Sequence, residues 1–77
     1  MRNGDLVKRV AVSSILINRN HWDVPDETIM LVTRGLHEGS VYWAENVTSL
    51  GIVIDVMNPA TGRIYREQPS EDFIKVG

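Results

Sequence analysis

The sequence predicts an all-β fold, with about five or six short antiparallel strands closed into a small, strongly bent barrel or packed as two sheets. Three observations carry that prediction. No segment shows an apolar stripe of helical period. Runs rich in β-branched residues recur along the chain, separated by turn residues. The clearest run is residues 51–65, where Ile52, Val53, Ile54 and Val56 make an apolar strand and Asn58, Pro59 and Gly62 break it. Arg63, Ile64 and Tyr65 then resume an extended pattern. A hairpin follows from that order, because Pro presets φ and Gly accepts positive φ.

Taken in order, Asn3, Gly4 and Asp5 signal a turn, and residues 6–12 follow as a strand. Leu6, Val10 and Val12 share one face and Val7, Arg9 and Ala11 the other, with Lys8 on the apolar side, where a twist or bulge is expected. Ile15, Leu16 and Ile17 continue that strand or start another. Residues 18–27 are the most polar stretch, have no period and contain Pro25, so they read as a long loop carrying Trp22. Residues 28–34 form a strand with Ile29, Leu31 and Thr33 opposite Met30 and Val32. Gly35 ends it, residues 36–39 connect, and residues 40–45 make the next strand, with Val41 and Trp43 on one face and Tyr42 and Ala44 on the other. Residues 46–49 turn into the hairpin, which Glu67, Gln68 and Pro69 close. Ser70, Glu71 and Asp72 suit one short 3₁₀ turn near residues 70–73, capped by the Ser70 hydroxyl. Residues 73–76 are the closing strand, with Phe73 positioned to plug one end of a barrel.

A chain of 77 residues makes a single small β-barrel domain, 1–77, with a core that is compact or completed by a partner. Hydrophobic content of 43% against 23% charged residues is ordinary for a globular domain and argues against disorder. Without cysteine there is no disulfide and no thiolate ligand. The net charge of -2 argues against a protein that lives on nucleic-acid phosphates. No stretch approaches the ~20 apolar residues that span a bilayer, and the start of the chain lacks a signal-peptide run. The expectation is a protein kept inside a cell and not secreted, with Asn46-Val47-Thr48 matching a glycosylation acceptor by chance.

No catalytic constellation stands out. Ser13, Ser14, Ser40, Ser49 and Ser70 have no neighbouring His with a helper acid. His21 with Asp23 and Asp26, and His37 with Glu38, lack metal-ligand spacing and read as solvated loop histidines, so no metal and no cofactor is expected. The pairs Asp26-Glu27 and Glu71-Asp72 read as solvated turn acids. Asp55 interrupts an apolar strand and is expected on the solvent face or paired with Arg63 or Arg66, an exposed pair worth about 0.2–1 kcal/mol. Most aromatics in so small a protein belong to the core. Trp43 is assigned there, and its neighbour Tyr42 then faces out. Trp22 either covers the core edge or meets a partner. Arg63 and Arg66 flank Tyr65, and aromatics beside arginines are common hot spots in protein contacts. The same set also suits stacking on single-stranded bases. The candidate partner-binding residues are therefore Trp22, Tyr42, Arg63 and Tyr65.

Gly4-Asp5-Leu6-Val7, Leu50-Gly51-Ile52-Val53-Ile54-Asp55-Val56, Gly62-Arg63-Ile64-Tyr65 and Ser70-Glu71-Asp72-Phe73-Ile74-Lys75-Val76 together resemble small Src-homology-3-like barrel domains. The likeness is to short bacteriophage proteins, including those of cyanobacterial phages. It covers both ends and the central hairpin, and residues 18–38 depart from it as a longer excursion. The resemblance implies an SH3-like barrel and a phage origin. It implies no chemistry, because such barrels host many unrelated functions.

The function expected is a non-enzymatic, phage-encoded protein-binding module. It docks on a host or virion protein, or on itself, through an exposed strand edge and loop aromatics. The alternatives are a nucleic-acid-binding small barrel and a virion structural or cement protein. The expected location is the host cytoplasm or the virion, with no membrane contact.

Overall fold

Period-two alternation of buried and exposed residues builds the sheet. The computed structural model describes residues 1–13, 24, 25, 27–43 and 47–76. Five strands, β1 (Leu6–Arg9), β2 (Ile29–Tyr42), β3 (Thr48–Met57), β4 (Ile64–Pro69) and β5 (Phe73–Lys75), form one antiparallel sheet in the order β4-β3-β2-β1-β5. The 3₁₀ turn Ser70–Asp72 precedes β5 and is the only helical element among the described residues. The fold is thus all-β, as the sequence predicts, and its size suits a small barrel. Neighbouring strands follow one another from β1 to β4, and β5 returns to the free side of β1.

Register decides which side chains become core. Val32 pairs with Val56 and Val56 with Tyr65, while Met30 pairs with Val7, so these residues share the inner face. With Val24, Ile54 and Phe73 they make one buried cluster. Met30, Val7, Ile54 and Val56 are fully buried, and each such side chain contributes roughly 1.5–3 kcal/mol relative to exposure. The register also lines up Ile64, Met57, Leu31 and Leu6 across β4, β3, β2 and β1 on the outer face. Leu6 and Ile64, at the ends of that row, are exposed.

Several expectations change. Gly35 does not end a strand, and residues 36–39 are not a connection. β2 runs unbroken from Ile29 to Tyr42. Register shifts between Val32 and Arg34 and between Arg34 and His37 absorb the irregularity that the sequence shows as a break. Glycine serves close approach at that point: the Met1 carbonyl lies 2.8 Å from where a Gly35 Cβ would stand. The first strand stops at Arg9, because the Val10 and Ala11 N–H groups both turn to the Asp72 carbonyl, at 2.7 and 3.3 Å. The 3₁₀ turn forms where expected, but Pro69 occupies its N-cap and no side chain caps it. Asp72 is not a solvated turn acid. It is fully buried, accepts from the Ser13 N–H at 2.9 Å and the Ser13 hydroxyl at 2.5 Å, and lies 3.7 Å from the Arg9 guanidinium. Trp43 is half-buried rather than central, and its Nε1 donates to the Ser49 hydroxyl at 2.6 Å. The reading of residues 15–17 as strand, most of the loop at 18–27, the end of the 40–45 strand at residues 44 and 45, and the first turn residue, 46, lie outside the described residues.

Two measurements test this account. Ile54→Ala should cost about 2–5 kcal/mol in urea unfolding. Leu50→Ala, at a side chain 72% exposed, should stay within about 0.5 kcal/mol of the parent. Asp5 supplies a pH test. The hydrogen bond from the Arg2 backbone N–H, at 2.9 Å, holds its carboxyl below the usual value, helped by Lys75, the Met1 amino group and Arg2. A depressed folded-state value means that the folded state binds fewer protons. The stabilisation is complete above the unfolded-state value of about 3.9 and is lost as pH falls through the lower folded-state value. Asp5→Asn should remove that part of the acid limb and leave the curve near neutral pH parallel to the parent.

Candidate functional site: the edge of β4

The outer edge of β4 begins in the turn before it. The Asn58 side chain accepts from the Ala60 N–H at 3.0 Å, and the Asn58 carbonyl accepts from Thr61 and Gly62 at 3.2 and 2.7 Å. Gly62 takes the positive φ of 75° that the reversal requires. The Asn58 N–H then donates to the Arg63 carbonyl at 2.9 Å, which starts the ladder between β3 and β4. Alternation in an antiparallel ladder turns the N–H and C=O of the next residue, Ile64, away from β3. Those of Tyr65, paired with Val56, point inward, and those of Arg66 point outward again.

Behind Arg66 the strand is bent by a buried acid. Asp55 is not on the solvent face and does not take up an arginine. It is 7% exposed, and its Oδ1 accepts the Glu67 N–H at 2.9 Å. Glu67 adopts a positive φ of 52°, and the β3–β4 register shifts between Ile54 and Val56. These are the marks of a β-bulge whose unpaired N–H is satisfied by a side chain. His37 comes to the same place from β2 rather than lying in a solvated loop. Its Nδ1 meets the Gly35 carbonyl at 2.7 Å and so carries the hydrogen, while Nε2 lies 3.7 Å from Asp55 Oδ1.

Beyond the bulge, the Gln68 amide folds back and donates Nε2 to the Arg66 carbonyl at 2.8 Å. That contact fixes the amide's orientation, since only the nitrogen can donate. Arg63, Ile64, Tyr65, Arg66 and Gln68 together line an open cleft of about 270 Å³. The Arg63 guanidinium carbon stands 5.0 Å from the centre of the Tyr65 ring, a cation–π contact. These residues alternate between the two faces of β4, so the cleft follows the strand.

Of the residues singled out by the sequence, Arg63 and Tyr65 meet here. Tyr42 is half-buried on β2 beside the start of β3, where it pairs with Thr48, far along the ladder from the Val56–Tyr65 pair. Trp22 lies outside the described residues. The sequence marks Gln68 only as a residue closing the hairpin, shows no bulge at Glu67 and places Asp55 outside or beside an arginine, whereas both Asp55 and Gln68 are buried. A lone acid at the centre of an apolar strand, followed across the hairpin by a polar run ending in Pro69, is the signal that was available.

Among the described residues no group of three His, Cys, Asp or Glu is arranged to hold a metal, and no helix is long and apolar enough to cross a membrane. The chain matches no protein-family model, no curated protein and no solved structure. The fold and this site together define a small all-β protein with a cationic cleft on an edge strand.

The role given to Asp55 has a direct test. Asp55→Ala leaves the Glu67 N–H without its acceptor and should cost about 1–3 kcal/mol in thermal or urea unfolding. Asp55→Asn keeps an oxygen at the same position and should recover most of that loss.

Proposed function

We propose that the protein is a non-enzymatic binding module that engages a protein partner along the edge of β4. The observation that carries this reading is that, among the described residues, β4 is paired on one side only, and residues from both faces of the strand line a cleft. An edge strand offers ready-made main-chain donors and acceptors, and side-chain pockets beside it give selectivity. The return of β5 to β1 and the 3₁₀ turn just before it support the SH3-like barrel form of this reading. A host or virion protein is the partner that the phage resemblance suggests.

The nucleic-acid alternative fits the cleft less well. Tyr65 is only 5% exposed and lies beneath Arg63, which leaves little ring face for a base to stack on.

Hydrogen exchange tests the reading. In the free protein the Ile64 and Arg66 amides should exchange faster than that of Tyr65. Addition of a partner captured from host lysate should slow Ile64 and Arg66 selectively. Protection confined to another part of the sheet would move the binding surface away from β4.

A further inference from the structure

Resting on the β4-edge reading, we infer that the occupant of the cleft is an extended, acidic peptide segment that adds to β4 as a short antiparallel or parallel strand. Charge supplies the first argument. Among the residues that line the cleft, Arg63 and Arg66 are cationic and none is acidic. Arg66 is exposed, and among the described residues no ion pair engages it. A guanidinium at a strand edge takes a carboxylate through paired N–H donors, which favours Asp or Glu over a neutral side chain. The chain as a whole carries -2, so the two arginines of the cleft run against its overall sign.

The second argument is the pattern of main-chain groups. Ile64 presents both its N–H and its C=O outward, and Arg66 presents its N–H. The Arg66 carbonyl already accepts from Gln68. Past that point Glu67 turns into the bulge, and Pro69 has no N–H to offer. The open ladder is therefore short, bounded by the Asn58–Arg63 turn on one side and by the bulge on the other. A ligand that uses it must be extended, must place a donor and an acceptor against Ile64, and needs to match only a few residues. A long unrelated strand meets the bulge and the Gln68 amide, so indiscriminate sheet extension is blocked.

Shape agrees with this. Because the cleft is lined from both faces of β4, a strand lying along it places alternate side chains on opposite faces, one set beside Arg66 and Ile64, the other beside Arg63 and Tyr65. A segment that alternates an acid with an apolar residue can set its acids on the face of Arg66, which is exposed, and its apolar residues on the face of Tyr65.

The experiment uses the intact protein and fluorescence anisotropy with labelled synthetic probes: a short peptide alternating Glu and Val, its Lys and Val counterpart, the Glu peptide N-methylated at alternate residues, and oligo(dT). The Glu peptide should bind, the Lys peptide should not, and N-methylation should abolish binding by removing the strand's donors. Arg66→Gln, an exposed substitution checked by its melting curve, should weaken the Glu peptide at least about tenfold. Ile64→Pro removes an outward N–H and should do the same, and the N-methylated probe gives that answer without altering the protein. Equal binding of Glu and Lys peptides, indifference to N-methylation or preference for oligo(dT) would overturn the inference. Failure of the Glu peptide would also overturn it. If a captured protein still protected the Ile64 and Arg66 amides, the binding-module reading would stand with a different ligand chemistry. Absence of both signals would remove the two together.

Discussion

One carboxylate oxygen sets where the sheet stops being able to grow. Asp55 Oδ1 holds the Glu67 N–H inside the protein, and the bulge it fixes ends the regular part of β4. Buried acids are costly unless their oxygens are hydrogen-bonded, and this one is bonded to a main-chain group that would itself be an orphan. Two unfavourable groups thus satisfy each other. The cleft depends on that exchange, because the same bend brings Gln68 back over the Arg66 carbonyl and separates the open ladder at Ile64 from Pro69. Were residue 55 apolar, the Glu67 N–H would lose this acceptor.

A second buried acid performs the corresponding task at the other end of the sheet. Asp72 receives both the N–H and the hydroxyl of Ser13, while its carbonyl receives Val10 and Ala11. The segment that leaves β1 is in this way fastened to the 3₁₀ turn before it departs on the long excursion to β2. Both devices place an aspartate where the strand ladder fails and use its oxygens in place of a neighbouring strand.

The fold was legible in the sequence wherever local chemistry decides it. The hairpin of β3 and β4 follows from β-branched Ile52, Val53, Ile54 and Val56 and from the Asn58, Pro59 and Gly62 turn. The alternation of Met30 and Val32 with Ile29 and Leu31 gives the buried face of β2 correctly. What was not legible depends on distant partners. Gly35 looks like a terminator, yet in the structure the N-terminal segment crosses it and the strand continues. Asp55 and Asp72 look like surface acids, because nothing within a few residues shows the main-chain donors that await them across the sheet. Of the candidate site, the Arg63 and Tyr65 pairing was visible as spacing along one strand. Gln68 enters only through the bulge, which is a property of two strands at once.

The return of β5 to β1 bears on how the molecule is made. Val7 pairs with Lys75 and Arg9 with Phe73, so β1 has on one flank a strand that is synthesised only after β2, β3 and β4. The β2–β3–β4 meander can assemble as soon as its residues emerge, since its contacts join neighbours in the chain. β1, in contrast, waits with one edge and the carboxylate partner of Ser13 still missing, and non-local closures of this kind are the slow ones. Closure of the sheet at β1 therefore waits for β5 rather than for any local step. Until β5 is made, that edge of β1 is open to unrelated strands.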